Sequence, residues 1–362
     1  MRVVAKIGTA SITDDRGAVD LVALAKLADE VAGLRRSGHE VIVVSSGAVA
    51  AGVAALGLAA RPSDMQTVQA LSAVGQSRLV EAYNQEFARH GLVGAQVLLD
   101  PHDFVDRVQY LHARRTIERL LELGCVPVVN ENDAIANDEL RYGDNDRLAA
   151  LVANSVGADV LVLLTDMDGV YTADPRRDPS ATLIPLVRSG DPLLAIRADA
   201  GGSGRGSGGM ASKLTAARMA SWSGIRSVIA RASRPDVLAG AASAELVGTT
   251  FEAHDRTLSA RKLWIAFASE VAGVLRVDEG AERALTERPS SLLPAGIVAA
   301  EGGFVVGDTV DIAGSSGRVF ARGLVAVDAP VVRTVLGLHT GELPAGVNHE
   351  VVHRDDLVVL PT

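Results

Sequence analysis

Two lysines that stand in glycine-rich segments are the first indication of chemistry in this sequence. The 362 residues include only four lysines against 31 arginines. Lys6 is followed by Ile-Gly-Thr, and Lys213 directly follows the segment Gly-Gly-Met-Ala-Ser at 208–212. Glycines let a backbone approach a phosphate and aim N–H groups at it, while a lysine ammonium meets the oxygens as a compact charge. The pattern indicates phosphate chemistry, with chance placement of the two lysines as the alternative.

The glycine-rich segment 200–209 contains a string that matches the dinucleotide-binding fingerprint, Gly204-x-Gly206-x-x-Gly209. No predicted strand runs directly into it, and no acidic residue ends a second strand about 20 residues later, so we reject that interpretation. The sequence also has no GxxxxGK[ST] motif, which excludes a P-loop. What remains is a glycine loop that opens a helix with Lys213 in its first turn. The helix N-terminus and the ammonium group would both favour anionic oxygen.

A serine pair followed by glycine comes after a second predicted strand and before a helix of small residues. Ser46 could cap that helix while Gly47 allows close packing, which is a purely structural role. Alternatively, the hydroxyl and the neighbouring backbone N–H groups could bind an anionic substrate. The second interpretation gains support because this strand is expected to end beside the strand that carries Lys6.

Two clusters of acidic and amide residues, Asn-Glu-Asn-Asp at 130–133 and Gly-Asp-Asn-Asp at 143–146, flank one short stretch of chain. Either cluster alone is typical of a turn or a helix cap. Together they indicate a pocket for a polar, zwitterionic ligand, in which carboxylates hold an ammonium group and Asn145 binds the α-carboxylate or the amine.

A strongly apolar strand ends at Thr165 and Asp166 and leads into a turn-rich loop. Turn formation alone explains the Asp168-Gly169 pair in that loop. Thr165 and Asp166 lie where the strand ends, however, and could instead contact a nucleotide, since ligands collect at the carboxyl ends of strands in open α/β sheets.

The elements that must position these residues alternate between short apolar runs and helical patterns over residues 1 to 255. This alternation predicts an α/β fold with a mostly parallel sheet covered by helices on both faces. The predicted strands are 3–7, 40–45, 93–98, 126–129, 159–165 and 226–230, and the predicted helices include 21–35, 64–89, 114–122, 147–154 and 211–223. A polar stretch follows, which we interpret as a linker over 256–269. Residues 270–362 show short β-like stretches between glycine turns, which predict a small β-barrel.

Composition limits the partners and the cellular location. The net charge is −9 and the pI about 5.4, and residues 270–362 carry seven arginines, no lysine and thirteen acidic residues, a net charge of −6, so a nucleic-acid partner is not favoured. No apolar run approaches the ~18 residues of a membrane span, and the N-terminal residues lack the pattern of a signal peptide. We therefore expect a cytoplasmic protein without membrane contact. The single cysteine, Cys125, excludes an internal disulfide and a CxxC metal site.

Taken in order, these segments resemble the amino-acid kinase family, and within it the members that phosphorylate glutamate. The resemblance runs through residues 6–9, 45–52, 130–134, 143–146, 165–175 and 208–214, and residues 288–297, 307–310 and 352–356 resemble a PUA domain. It implies a three-layer αβα sandwich in residues 1–255 and a PUA β-barrel in residues 270–362. Ala10 stands where many members have a serine, which weakens the case for a hydroxyl contact at that position.

The resemblance also implies a reaction, namely transfer of the ATP γ-phosphoryl group to the side-chain carboxylate of L-glutamate, the first step of proline biosynthesis. Lys6 and Lys213 would flank the transferring group, and Asp146 would hold the two lysines in place. Mg²⁺ would be held by ATP oxygens and water rather than by a dedicated cluster of protein ligands. The implied glutamate-binding residues are Ser46, Gly47, Asp133, Asp144 and Asn145. The implied nucleotide-binding residues are Lys6, Thr165, Asp166, Ser207, Gly208, Gly209, Met210, Ala211, Ser212 and Lys213.

Further expectations follow from the same resemblance. They are a homodimer or homotetramer, and inhibition by proline through competition at the glutamate pocket. A reductase that consumes the labile glutamyl phosphate is an attractive partner, although no residue of this chain points to it. The Gly-Arg-Gly loop around Arg205 is expected to alter either loop mobility or nucleotide affinity.

Two alternatives remain open. A kinase of N-acetylglutamate, aspartate or carbamate would share the lysines and the glycine loop, but the paired acidic-amide clusters and the PUA-like segment favour free glutamate. An RNA-binding role is the second alternative, because PUA domains occur in RNA-binding proteins. The absence of lysine and the charge of −6 in residues 270–362 argue against RNA and favour a role in regulation or assembly.

Overall fold

An eight-stranded, mostly parallel sheet forms the centre of the first part of the chain. The computed structural model describes residues 1–14, 16–104, 106–135, 145–188, 191, 209–255, 257–269, 271–344, 346 and 348–360. Its strands are β1 (Arg2–Ile7), β2 (Glu40–Ser45), β3 (Gly94–Leu99), β4 (Val126–Glu131), β5 (Val160–Thr165), β6 (Leu186–Val187), β7 (Arg226–Arg231) and β8 (Thr249–Phe251). They lie in the order β3-β4-β2-β1-β5-β7-β8-β6, and among these neighbours only β7 and β8 run antiparallel.

Helices cover both faces of this sheet. They are α1 (Leu21–Arg36), α2 (Ala48–Ala55), α3 (Met65–Ala88), α4 (Arg107–Glu122), α5 (Asn145–Ser155), α6 (Met210–Ser221) and α7 (Val237–Ala242). Aspartates define three of the helix starts, because a carboxylate accepts hydrogen bonds from backbone N–H groups of the first turn that have no partner within the helix. Asp20 caps α1, Asp64 caps α3 and Asp106 caps α4 in this way.

The central strands are apolar and completely covered. All six residues of β5 are buried, as are five of the six residues of β1 and of β2. Strands buried on both faces read as continuous runs of Val, Leu and Ile rather than as alternating patterns, which is why the sequence predicts them well. The few polar side chains in this region are therefore buried at a cost in free energy.

The strand order brings the polar strand ends together. β1 lies between β2 and β5, so that the chain leaves β1 in one direction and later returns on its other side. In open α/β sheets such a point leaves a crevice at the carboxyl ends of the strands, and ligands bind there. Lys6, Ser45 and Thr165 stand at or next to the carboxyl ends of these three adjacent strands.

Helices α2 and α3 cross with their backbones in direct contact, and two glycines permit this. A Cβ atom added at Gly75 would lie 1.7 Å from the carbonyl oxygen of Ala48, and one added at Gly52 would lie 2.0 Å from the carbonyl oxygen of Leu71. Neither position has room for any side chain. The close crossing fixes the position of α3 relative to α2, the helix that directly follows Ser46 and Gly47.

The chain divides into two compact units, Met1–Thr257 and Leu258–Thr362. The second unit begins with α8 (Ala260–Leu263) and a following π-helical turn, Trp264–Ala268. It continues with β9 (Val271–Val277), α9 (Glu279–Glu287), β10 (Ile297–Gly302), β11 (Thr309–Ala313), β12 (Val319–Val325), α10 (Ala329–Thr334) and β13 (Val352–Val359). Its five strands form one sheet in the order β10-β9-β11-β12-β13.

This unit has its own hydrophobic core, in which Phe304, Leu275 and Ile312 are completely buried. One ion pair borders the core, since Arg322 donates to Asp311 over 2.7 Å and also to the carbonyl oxygen of Ala266. The unit therefore has the packed interior expected of an independent domain.

The predicted fold class is confirmed, and the six predicted strands of the first unit agree with the observed ones within about two residues. Helix α4 begins seven residues earlier than predicted, at Arg107 instead of 114. The predicted domain limits, with a linker at 256–269, stay a prediction. Within the described part of the chain, no helix has both the length and the apolar character that crossing a membrane requires.

The α2–α3 crossing leads to a stability prediction. Gly75→Ala forces a methyl group into the backbone of α2, and overpacking of this kind costs about 1–3 kcal/mol or more in the free energy of unfolding. The matched control is Gly33→Ala in α1, where nothing lies within 4 Å of the added Cβ. Because alanine is the better helix former, the control should gain about 0.5–1 kcal/mol. Urea denaturation followed by circular dichroism measures both changes, and equal stability of the two variants would contradict the close crossing.

Candidate active site

Three buried charged groups form one cluster at the carboxyl edge of the sheet. Lys6 Nζ lies 2.8 Å from Asp146 Oδ1, and Lys213 Nζ lies 3.1 Å from Asp146 Oδ2. Ser212 Oγ donates to Asp146 Oδ2 over 2.6 Å. The three charged residues are 3%, 1% and 5% exposed for Lys6, Asp146 and Lys213. The structure thus brings together the two lysines and the aspartate that the sequence analysis predicted to act together.

Each member of the cluster comes from a different element. Lys6 stands near the end of β1, whereas Asp146 lies in the first turn of α5 and Lys213 in the first turn of α6. Helices α5 and α6 pack against each other. Their N-terminal turns direct backbone N–H groups and the positive ends of two helix dipoles to the same edge of the sheet. Backbone N–H groups and lysine side chains therefore both make this edge electropositive.

The electrostatics of the cluster favour the ionised form of Asp146. Burial by itself raises the pKa of this carboxyl, but the ammonium charges of Lys6 and Lys213 and hydrogen bonds from Lys6 and Ser212 outweigh burial and hold the pKa below its usual value. One carboxylate thus contacts two ammonium groups inside the protein. Such ammonium groups also bind the oxygens of phosphate groups.

A second polar pocket lies after β4. The Asp133 side chain is buried, and its Oδ2 accepts a hydrogen bond of 3.4 Å from Ser72 Oγ on α3. Its Oδ1 has no hydrogen-bond partner among the described residues. Burial raises the pKa of Asp133 to about 6, against weaker opposing effects of the Ser72 hydrogen bond and the charge of Arg61. An ammonium group placed here would satisfy the free oxygen and stabilise the ionised carboxylate.

Side-chain amides border the same region. Asn130 Oδ1 and Asn145 Oδ1 both accept from the backbone N–H of Glu131, at 2.9 and 3.1 Å. Asn145 also begins α5, so it connects this pocket to the neighbouring Asp146. Gln76 on α3 is buried, and its Oε1 accepts from Gln96 Nε2 over 3.2 Å.

The turn at Ser46 and Gly47 has the local geometry expected of a sharp strand-to-helix connection. Gly47 has φ 99°, in the left-handed region that favours glycine, and directly precedes α2. The neighbouring Ser45 shares a hydrogen bond of 2.9 Å with the buried hydroxyl of Tyr83 on α3. This hydrogen bond to α3 holds the turn in place, and Ser46 lies at the edge of the sheet.

The segment after β5 is also fixed by polar contacts. Thr165 Oγ1 donates to Asp166 Oδ1 over 3.0 Å. Two residues later, Asp168 receives hydrogen bonds of 2.6 and 3.1 Å from Arg231 and one of 3.2 Å from Tyr171. The hydrogen bond from Arg231 lowers the pKa of Asp168 below its usual value. These contacts hold the turn after Thr165 against the end of β7.

Some of the predicted site residues lie outside the part of the chain that the structure describes. Asp144, Ser207, Gly208 and the loop around Arg205 lie outside the described residues. Gly209 immediately precedes α6, and Met210 and Ala211 begin that helix. Thr165 and Asp166 lie at the same sheet edge as Lys6, since β1 and β5 pair directly, but no described contact joins them to the lysine cluster.

Ser72 and Gln76 were not among the predicted site residues. Both lie on the otherwise apolar buried face of α3, with Val68, Leu71 and Leu79. A polar residue within an apolar helical stripe is the signal that could have identified them, because a buried polar group requires a partner. Among the described residues, no group of three or more His, Cys, Asp or Glu side chains is arranged to hold a metal ion.

Comparison with known proteins agrees with this architecture. A model of the amino acid kinase family matches residues 1–231, and a PUA domain model matches residues 273–347. The chain is 50% identical to "Glutamate 5-kinase" of Rhodococcus opacus (strain B4) and 50% identical to "Glutamate 5-kinase" of Rhodococcus jostii (strain RHA1), in each case over 99% of this chain and 96% of the relative.

Among solved structures, the product complex of T. acidophilum isopentenyl phosphate kinase aligns with a TM-score of 0.50 at 19% identity, over 70% of this chain and 100% of that chain. At that identity the likeness concerns the fold alone. The family model, by contrast, covers well over half of the chain, and the curated relatives match along almost its whole length. The chain therefore belongs to the amino acid kinase family, within its glutamate 5-kinase group, and its second unit contains a PUA domain.

Proposed function

We propose that this protein transfers the γ-phosphoryl group of ATP to the side-chain carboxylate of L-glutamate, giving L-glutamyl 5-phosphate and ADP, the first step of proline biosynthesis. The family membership and the names of the full-length relatives support this assignment. The structural observation that carries it is the buried Lys6–Asp146–Lys213 cluster beside a second pocket that is suited to an ammonium group.

The reaction needs little from the protein beyond placement and charge. One oxygen of the glutamate side-chain carboxylate forms a bond to the γ-phosphorus, and the bond from that phosphorus to the β,γ-bridging oxygen breaks. ADP leaves with the electron pair. Because a carboxylate is already ionised at neutral pH, no general base has to remove a proton. Catalysis is then mainly positioning and neutralisation of negative charge on the transferring group.

Lys6 and Lys213 supply the neutralising charge. Asp146 contacts both ammonium groups, one through each carboxylate oxygen, and so holds them at a fixed separation. Both ammonium groups would attract the phosphoryl oxygens of the bound nucleotide. In a buried site of low dielectric constant, such fixed charges act more strongly than they would in water and need not reorganise during the reaction.

The second pocket would bind the amino acid end of glutamate. In this proposal Asp133 accepts the ammonium group, and Ser46, Gly47, Asp144 and Asn145 complete the pocket. The free Oδ1 of Asp133 supports the assignment. Since Asn145 and Asp146 are adjacent in α5, the substrate's side chain would extend from one pocket to the lysine cluster.

ATP would bind at the same edge of the sheet, on the side opposite to the glutamate pocket. Lys6, Thr165, Asp166 and residues 207–213 are the proposed nucleotide contacts, and the N-terminal turn of α6 suits phosphate oxygens. The oxygen-rich phosphates would carry Mg²⁺ together with water, because the described side chains offer no ligand cluster of their own. When bound, Mg²⁺ would neutralise charge on the phosphate oxygens.

Four further proposals rest on the sequence and the family resemblance and not on a described contact. The protein would assemble as a homodimer or homotetramer and act in the cytoplasm. A glutamyl-phosphate reductase would consume the labile acyl phosphate. The PUA domain, with its surplus of acidic residues, would serve regulation or assembly rather than RNA binding.

The assigned reaction predicts an acyl phosphate that hydroxylamine traps as a hydroxamate. With Mg-ATP, the purified protein should form hydroxamate from L-glutamate but not from N-acetylglutamate or aspartate. Lys213→Ala should reduce the rate by roughly 100-fold or more, since it removes one of the charges that stabilise the transition state. Colorimetric detection with ferric ion measures the product.

The control for this experiment is Lys262→Ala, which removes a lysine of the second unit whose Nζ donates to the carbonyl oxygen of Arg354. It should retain the wild-type rate. Hydroxamate from N-acetylglutamate or aspartate instead would assign a different substrate, and absence of hydroxamate from every acid would refute the proposed reaction.

The raised pKa of Asp133 predicts a pH dependence of glutamate binding. Burial raises the pKa of Asp133 to about 6, so below this pH the free enzyme carries a neutral carboxyl that cannot attract an ammonium group. The dissociation constant for L-glutamate should then rise by about tenfold for each pH unit below 6 and stay constant above it. Titration calorimetry without nucleotide, between pH 5 and 8, measures this.

Variants separate this effect from general pH sensitivity. Asp133→Asn should bind glutamate weakly at every pH, without the slope. Asp255→Asn, which changes an exposed aspartate, should keep both the affinity and the slope. A dissociation constant that is flat down to pH 5 in the wild-type protein would contradict the ammonium-binding role of Asp133.

Proline offers the same backbone charges as glutamate, and we expect it to compete at the amino acid pocket. Millimolar L-proline should raise the apparent KM for L-glutamate and leave kcat unchanged. N-acetyl-L-proline is the matched control, because it keeps the carboxylate but lacks the ammonium group that Asp133 would bind. Steady-state kinetics at saturating Mg-ATP test this prediction. Unchanged activity in millimolar proline would contradict competition at this pocket.

A further inference from the structure

Gln76 is a buried amide that the assignments above leave without a role. It lies on α3 and is 7% exposed, and its Nε2 has no hydrogen-bond partner among the described residues. Native proteins rarely leave a buried amide donor unsatisfied, because the group loses its hydrogen bonds to water without replacement. The orientation of this donor therefore requires an explanation.

The structure leaves the NH₂ end of this amide available. Gln96 Nε2 donates to Gln76 Oε1, so that the oxygen is already used. Asn130 repeats the arrangement, since its Oδ1 accepts from the backbone N–H of Glu131 while its Nδ2 has no partner in the described part of the chain. Both amides thus present donors and would bind an acceptor such as a carboxylate.

Gln76 lies close to the pocket of Asp133. Ser72, whose hydroxyl contacts Asp133, lies four residues before Gln76 in α3. Side chains at this spacing lie on the same face of a helix. The strand register agrees, because Gln96 on β3 pairs with Val128 and Asn130 follows two residues later on the same face of β4. The free donors of Gln76 and Asn130 and the free oxygen of Asp133 consequently border one region.

This combination matches the α-carbon end of an amino acid. A carboxylate oxygen such as Asp133 Oδ1 suits an ammonium group, and amide N–H donors suit a carboxylate. We infer that Gln76 is a specificity-determining residue whose Nε2 donates to the α-carboxylate of the substrate, and this inference rests on the proposed function. In this role Gln76 selects acids that carry an α-carboxylate beside the amine, and Gln96 keeps its amide in the required orientation.

A ligand that lacks only the α-carboxylate tests the contact directly. 4-Aminobutyrate keeps the amine and the distal carboxylate of glutamate but has no α-carboxylate. Gln76→Leu should raise the dissociation constant for L-glutamate by about tenfold or more, because a hydrogen bond to a charged group is lost. It should leave the weaker binding of 4-aminobutyrate unchanged. Competition calorimetry on the full chain measures both constants.

Two further variants make the result decisive. Gln66→Leu, the same substitution at an exposed position of α3, should change neither constant. Gln76→Glu keeps the acceptor for Gln96 but replaces the donor with a carboxylate oxygen. It should weaken L-glutamate binding by more than Gln76→Leu does, and it tests the inference even if the leucine variant fails to fold.

The outcomes separate this inference from the proposed function. Wild-type hydroxamate formation together with equal glutamate affinity of Gln76→Leu and Gln66→Leu would overturn the role of Gln76 alone. Equal weakening of L-glutamate and 4-aminobutyrate would also overturn it, because the lost contact would then not involve the α-carboxylate. Absence of hydroxamate from the wild-type protein would instead refute the proposed reaction.

Discussion

The carboxylate of Asp146, buried between the ammonium groups of Lys6 and Lys213, is the interaction on which the site depends. Its two oxygens each meet one lysine, so a single residue fixes two charges that would otherwise repel each other. The arrangement keeps two ammonium groups in a region of low dielectric constant, where charges act strongly on one another. Phosphoryl transfer to a carboxylate brings two anions together, and fixed positive charges offset their repulsion.

The fold creates this interaction by topology. Because β1 lies between β2 and β5, polar groups from distant parts of the chain end at one edge of an otherwise apolar sheet. Two glycines allow α2 and α3 to touch, and α3 carries Ser72, which contacts Asp133, and Gln76 on the same helix face. The lysine cluster thus offers two ammonium groups, and the pocket of Asp133 offers a carboxylate and amide donors. This division matches the two ends of glutamate.

Much of this could be predicted from sequence for identifiable reasons. Buried parallel strands leave continuous apolar runs, and Lys6 and Lys213 stand in glycine-rich segments whose residue types indicate phosphate chemistry. The role of Asp146 was implied only by the family resemblance. The prediction began α4 seven residues too late: Asp106 caps the helix and could have indicated its start, but polar residues separate the apolar ones in the first turns. Gln76 also escaped prediction: its position in the apolar stripe of α3 could have marked it as a buried polar group, but its contact with Gln96 is tertiary and cannot be read from the sequence. The assigned roles of the site residues remain predictions.

The central claim is that the side-chain carboxylate of glutamate attacks the γ-phosphorus at the lysine cluster. Glutamate labelled with ¹⁸O in both side-chain oxygens tests it most directly, with hydroxylamine present to cleave the acyl phosphate at carbon. The phosphate released should carry one ¹⁸O atom, visible as a shifted ³¹P resonance, and Asp146→Asn should form little of it. Unlabelled phosphate from the wild-type protein would show that water and not glutamate receives the phosphoryl group, and would contradict the account.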